Sequence, residues 1–166
     1  KYMKRPEPTF SDYEVINDKV RLADLACYSV RLGFKTIKHQ SSNVNGVYLI
    51  GASEEYEELF SLDFAKGRYF SPMEYSRGAN KIILGNNIAE NLFGQIEPIG
   101  RDIKMEGKKY EVIGVLEKSG DDLLQIVDFD EVMIEFATAI YVMDAGPNQA
   151  IEKTCKIFGF SQTAKT

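Results

Sequence analysis

No run of about 18 apolar residues occurs in this chain, so it carries no helix that would cross a membrane. Its first residues also lack the order of a secretion signal. Cysteine is scarce. Cys27 and Cys155 lie far apart and have no metal-ligand spacing, which leaves either one disulfide or, as the favoured reading, two buried thiols. Histidine is scarcer still. His39 stands alone, which argues against a structural zinc site and a Ser-His-Asp triad, and its polar neighbours Lys38, Gln40 and Ser41 predict an exposed loop or strand end. Basic residues number 20 against 25 acidic ones, and the formal charge of −5 disfavours nucleic acid as the main ligand, although a local basic patch is compatible with it. No glycine-rich loop matches a nucleotide cradle, and no internal repeat is present.

What the chain does have is enough apolar material for a core. With 166 residues and 44% hydrophobic content it can form one domain or two small subdomains. The clearest local structure lies between Asn80 and Lys118. The run Ile82-Ile83-Leu84 reads as a strand that stops at Gly85. Asn86 or Asn87 is placed to cap a short helix whose stripe is Ile88, Ala89, Leu92 and Phe93, and Gly94 is placed to end it in a left-handed conformation. After the connector Gln95 to Gly100, Ile103 and Met105 alternate with polar residues. The turn Glu106-Gly107-Lys108 then leads into a buried strand containing Tyr110, Val112, Ile113 and Val115. The glycines at 85, 94, 100, 107 and 114 read as turn residues at element ends.

The remaining elements follow in chain order. Residues 1–8 read as a linker. A helix is expected over about 11–20, capped by Thr9 or Ser11 with Glu14 as box partner. Two strands between Asp24 and Ile50 are joined by a turn at Ser41-Ser42-Asn43, and Gly51-Ala52-Ser53 ends the second, with Ser53 capping a helix through Phe60. Leu62 to Phe70 is extended with a pivot at Gly67, and Ser71-Pro72-Met73-Glu74 starts a helix that ends near Gly78. Ser119 to Asp122 is a loop, Leu123 to Val127 follows it, and Val132 to Phe136 suggests a strand or buried turn. Ala137 to Met143 leans to helix. Asn148 to Phe158 reads as a helix with the stripe Ile151, Cys155 and Phe158, and residues 161–166 as a frayed end. Mixed elements with hairpin-length connectors predict an α+β fold with a mixed, mostly antiparallel sheet and short packed helices.

Chemistry-bearing candidates are weak. Gly67-Arg68 reads first as a glycine turn with an arginine pairing a nearby carboxylate, and Leu92-Phe93-Gly94 as a helix end packed on the sheet rather than a partner anchor. The cluster Asp121, Asp122, Asp128, Asp130 and Glu131 lacks the spacing of a calcium loop and reads as solvated. Glu54 with Glu55, and Asp121 with Asp122, are adjacent pairs rather than facing acid–base partners. These residues point to a scaffold or recognition surface, with no catalytic, cofactor-binding or metal residue assigned.

A family resemblance rests on the order of Val47-Tyr48-Leu49-Ile50-Gly51, Tyr56, Gly67-Arg68-Tyr69-Phe70, Ile83-Leu84-Gly85, Ala89, Leu92-Phe93-Gly94, Pro98-Ile99-Gly100 and Tyr110-Glu111-Val112-Ile113-Gly114-Val115. This succession resembles the extracytoplasmic core domain of MacB-like ABC transporter permeases, a broad group that includes FtsX and the lipoprotein-releasing permeases. The match runs from about Val44 to Phe136. It marks Gly51, Gly67, Arg68, Phe70, Gly85, Leu92, Phe93, Gly94, Pro98, Gly100 and Gly114 as structural motif residues. The resemblance implies a bacterial inner-membrane protein with this segment in the periplasm. In that picture residues 1–8 lead in from a membrane stalk, 9–160 form the core domain with its second lobe reduced or missing, and the chain, which starts at Lys1, is an excised piece. It also implies a non-enzymatic domain that couples cytoplasmic ATP hydrolysis to export, release or signalling by mechanotransmission. The ATP is used by a separate ATPase domain or subunit. Expected partners are that ATPase through the membrane helices, a second permease copy, and a periplasmic adaptor or effector. The competing readings are a free-standing periplasmic binding module or small enzyme, and an FtsX-like recruiter of a cell-wall hydrolase.

Overall fold

In the computed structural model, which describes residues 10–19, 24–118, 132–136 and 155–160, the longest feature is a hairpin. Strands β1 (Leu25–His39) and β2 (Ser42–Ala52) pair antiparallel from Ser29↔Ala52 to His39↔Ser42. The turn falls at Gln40-Ser41, one residue earlier than the Ser41–Asn43 expectation, because Gln40 itself takes a φ of 52° and completes the reversal. Register shifts at Arg31/Gly33 and Lys35/Ile37 bulge and twist β1. This twist lets one strand serve different neighbours along its length.

Helix α1 (Phe10–Lys19) precedes the hairpin. Ser11 therefore lies inside the helix and does not cap it; the alternative cap Thr9 lies outside the described residues. Helix α2 (Tyr56–Phe60), strand β3 (Phe64–Gly67) and helix α3 (Pro72–Arg77) come next. The central stretch forms β4 (Lys81–Leu84), helix α4 (Asn86–Phe93), β5 (Asp102–Met105) and β6 (Lys108–Leu116). Its hairpin turn is Glu106-Gly107, with φ of 50° and 79°; two positive φ angles match the twist of the flanking strands.

Two further strands, β7 (Val132–Phe136) and β8 (Cys155–Phe160), complete the sheet. Strand β8 overturns the helix expected through Phe158, since it pairs antiparallel with β1 from Leu25↔Phe160 to Val30↔Cys155. The segment Cys-Lys-Ile-Phe-Gly-Phe is aromatic and holds a helix-weakening glycine, and the opening residues of β1 offer it a ladder. The loop and acidic cluster at 119–131, the segment 137–143, and the termini 1–8 and 161–166 lie outside the described residues.

The hydrogen-bonded order is β2-β7-β4-β6-β5-β1-β8, and because β1 also pairs β2, six of these strands close into a ring. Parallel pairing is confined to β2 with β7 and β4 with β6; the other pairings are antiparallel. The fold is thus α+β with a mixed, mostly antiparallel sheet. On one face Ile37, Leu49, Ile82, Leu84, Ile103 and Val112 pack with Ile88, Leu92 and Phe93 of α4. On the other, Cys27, Ile83 and Ile113 pack with Tyr56 of α2 and with Tyr69 and Phe70. Because both faces of β4 are covered, Ile82, Ile83 and Leu84 are all fully buried, which explains their uninterrupted apolar run.

The cysteines do not meet. Cys27 faces Phe158 across the ladder, while Cys155 faces Val30, three register positions on. That offset is about 10 Å along the strand, beyond the roughly 7 Å Cα separation that a disulfide tolerates.

Candidate functional site

The Gly-Arg-Tyr-Phe motif sits where β3 meets β6 at backbone contact. Gly67 has a φ of +73°, and a Cβ there would lie 2.0 Å from the Ile113 carbonyl oxygen. Across the contact, a Cβ on Gly114 would lie 2.6 Å from the Arg68 carbonyl oxygen and 2.9 Å from Phe64 Cε1. Gly114 is therefore not a turn residue, as its sequence suggested. It lies inside β6, where only a missing side chain admits the partner backbone. The Arg68 N–H donates to Ile113 O at 3.1 Å and fixes the approach.

Arg68 then turns outward. Its guanidinium donates from Nη1 to Glu74 Oε2 at 2.8 Å, from Nη2 to Glu74 Oε1 at 2.7 Å, and from Nη1 to the Tyr69 carbonyl at 2.9 Å. Glu74 is doubly used. Its Oε2 accepts the Ser71 N–H at 2.9 Å while its own N–H donates to Ser71 Oγ at 3.3 Å, a capping box that starts α3 behind Pro72. One carboxylate thus ties the strand end to the helix start.

Acid unfolding reports this fork. The Arg68 hydrogen bonds, helped by the Ser71 N–H and opposed by burial, hold the Glu74 carboxyl at about 2, against an ordinary 4.5. A depressed carboxylate stabilises the fold fully above its unfolded value and ceases to do so as pH falls through the folded value. With the Arg68 side chain 55% exposed, solvent screening limits the fork to about 1 kcal/mol. Urea midpoints of the native chain and Glu74→Gln should differ by that amount near neutral pH and converge as pH falls from 4.5 toward 2. A gap that stays constant across that window would assign the stabilisation to something other than the charge.

A second network went unseen in the sequence. Ser53 was expected to cap α2, but the residue before that helix is Glu55, and no side chain caps it. Instead Ser53 Oγ accepts the Tyr28 N–H at 2.9 Å and donates to Glu55 Oε2 at 2.9 Å. Tyr13 of α1 donates to the same Oε2 at 2.7 Å, and Tyr69 donates to the Ser53 carbonyl at 2.8 Å. Burial pushes both tyrosine hydroxyls above their ordinary range, with Glu55 adding to the rise at Tyr13. The outcome is a continuous polar link from α1 through the end of β2 to the Tyr69–Phe70 segment. The signal available was Ser53 two residues before Glu55, which is also the spacing of a helix start.

The remaining motif residues bind α4 and its connector to β6. Gly85 precedes α4 with extended backbone, so Asn86 and Asn87 are helical residues and not caps. Gly94 ends the helix at φ 58° but ψ −115°, outside the left-handed helical region expected for it. Leu92, Phe93 and Pro98 are buried. The Gly100 N–H donates to Val112 O at 2.8 Å, and the Val112 N–H donates back to Arg101 O at 2.9 Å. Gly51 is buried within β2 opposite Val30. His39 contradicts its reading as exposed: it is only 9% accessible, with Nδ1 donating to Asp102 O at 2.8 Å and its ring 4.5 Å from that of Phe93. The end of α4 covers it, a contact that its polar neighbours could not announce.

Apart from Gly51 in β2, the motif residues therefore gather around β6 and the elements packed on it as packing groups, backbone approaches and one ion pair. Two of them, Gly94 and Pro98, border a common small pocket with Ala89, Ile96 and Val115. Among the described residues no group of three or more His, Cys, Asp or Glu side chains is arranged to hold a metal ion.

Comparison with known proteins gives a consistent picture. A family model described as "MacB-like periplasmic core domain" matches residues 2–154. The macrolide export ATP-binding/permease protein MacB of Bdellovibrio bacteriovorus is 33% identical over 93 residues, which is 56% of this chain and 14% of that protein. The pyoverdine export ATP-binding/permease protein PvdT of Pseudomonas aeruginosa is 32% identical over 73 residues, 44% of this chain and 11% of that protein. The matches thus span only a small part of these relatives' length. In fold, the chain is similar to the periplasmic region of MacB from Actinobacillus actinomycetemcomitans, with a TM-score of 0.75 at 13% identity over 99% of this chain and 69% of that one. It is likewise similar to the extracellular domain of the noncanonical ABC-type transporter YknZ from Gram-positive bacteria, with a TM-score of 0.68 at 22% identity over 91% and 73% of the two chains.

Proposed function

We propose a role from one premise: this chain belongs to the MacB-like periplasmic core domain family. It is the periplasmic domain of a MacB-like ABC transporter permease. Its role is to couple ATP hydrolysis in the cytoplasm to export at the outer side of the inner membrane, by moving as a unit with the membrane helices. Hydrolysis belongs to the ATPase domain or subunit, in keeping with relatives named as joint ATP-binding/permease proteins. This domain contributes no catalytic group and no cofactor site. In the assembled transporter it acts beside a second permease copy and presents its surface to a periplasmic adaptor or effector.

The observation that carries the reading is the family match over residues 2–154, and the structure supplies a physical reason. A domain that transmits displacement has to resist deformation. The closed strand ring and the backbone contact at Gly67 and Gly114 brace the core, and the polar link from Tyr13 of α1 through Glu55 and Ser53 to Tyr69 joins the first helix to it. In this reading a push delivered at α1 passes to the sheet through the Tyr13–Glu55–Ser53 hydrogen bonds.

The test is made in the parent transporter, reconstituted in vesicles. Replacing residues 10–160 by a flexible linker should leave basal ATP hydrolysis measurable and abolish export. Export that continues at the native rate per ATP hydrolysed would remove the coupling role.

A further inference from the structure

Three lysines stand in one row across three strands. Lys38 of β1 is the register partner of Lys104 of β5, and Lys104 is the register partner of Lys109 of β6. Register partners project to the same side of a sheet, so their ammonium groups share one face, with strand spacings of about 5 Å. All three are exposed, whereas Ile37, Ile103 and Met105 beside them in sequence are buried on the opposite face. None of the three forms an ion pair among the described residues. The nearby carboxylate of Glu111 is engaged by Lys81, and that of Glu106 by Lys35. Like charges placed directly opposite one another destabilise a sheet. Here the arrangement occurs twice in succession on a chain whose formal charge is −5.

The row borders a cleft of about 560 Å³, a size suited to a small ligand, lined also by Arg101, His39 and a single carboxylate, Asp102. His39 does not face the lysines: it alternates with Lys38 along β1, and its buried ring lies 4.5 Å from that of Phe93 on the other face. The cationic groups at the cleft are therefore the three lysines and Arg101.

We propose that this cleft binds a phosphate-bearing molecule through its phosphate. Lys38, Lys104 and Lys109 meet the anion as a row of point charges, and Arg101 lies at its side. A divalent oxyanion relieves the repulsion between the lysines and offers several acceptor oxygens at once. A monovalent carboxylate does this less well. Binding is read on the chain alone, so failure here leaves the coupling role untouched.

The experiment titrates this chain with sodium pyrophosphate at fixed ionic strength, following backbone amide NMR shifts, beside the variant Lys38→Gln/Lys104→Gln/Lys109→Gln. Saturable shifts confined to the cleft are expected, with affinity reduced at least about tenfold in the variant. The variant's urea midpoint should equal or exceed that of the native chain, because substitution removes like-charge pairs; this shows that the loss is not unfolding. A second arm floats the chain with vesicles of phosphatidylglycerol or phosphatidylcholine. Pyrophosphate binding without flotation assigns a soluble phosphate compound. Flotation on phosphatidylglycerol that pyrophosphate displaces assigns a lipid headgroup. Shifts that do not saturate, equal binding by the variant, or flotation that pyrophosphate leaves in place would overturn the site.

Discussion

Gly67→Ala is expected to cost more than about 3 kcal/mol in urea unfolding, a large loss for one methyl group. Two effects coincide at this position. The residue's φ of +73° is strained for any side chain, and the added carbon would lie 2.0 Å from a backbone oxygen that cannot swing aside. Gly46→Ala separates the two, because its φ of +70° is similar but nothing lies within 4 Å of the added carbon. That control should cost only about 1 kcal/mol. Equal losses at the two positions would show that β3 can retreat from β6, and the close backbone contact would lose its structural weight. A midpoint shift at constant slope identifies the effect as a change in stability and not in the surface exposed on unfolding.

Phe93→Ala is expected to destabilise the chain by about 3–5 kcal/mol, the range for removing a buried aromatic ring from a packed core. Phe93 is 4% accessible, packs in the apolar cluster that α4 forms with the sheet, and lies against the His39 ring. Deleting it opens a cavity between α4 and the sheet and uncovers a buried imidazole. Leu92 and Ile88 hold the helix from the same side, so the cavity collapses only in part. Chemical denaturation showing less than about 1 kcal/mol would move Phe93 to the surface and revive its reading as a partner anchor.

The part of the fold that was legible in the sequence is the part fixed locally. From Lys81 to Leu116 each element meets its neighbour through a short connector, so hydrophobic period, helix stop and turn chemistry all point the same way. Beyond it, tertiary partners decide. Cys155 and Phe158 share a helical stripe with Ile151 on paper, yet Cys155 to Phe160 becomes a strand because β1 offers a ladder to a segment far away in the chain. Gly114 looks like any glycine near an element end; its reason for being glycine is the Arg68 carbonyl just past the end of β3. His39 and Ser53 misled for a common cause, since polar neighbours in sequence say nothing of a helix end or a tyrosine arriving from elsewhere. The lysine row was equally hidden. Lys38, Lys104 and Lys109 become neighbours only when register is known.

The closed ring of strands also sets a schedule for the chain during synthesis. β2 is complete at Ala52, but the strand that covers its outer edge, β7, begins only at Val132. At typical elongation rates of about 5–20 residues per second, that edge waits roughly 4–16 s for its partner. The opening residues of β1 wait longer, for β8. Until then an apolar hairpin presents bare backbone donors and acceptors to any neighbouring chain, the condition under which strands pair with the wrong molecule. A factor that shields nascent segments therefore has its greatest effect on this domain before its last two strands emerge.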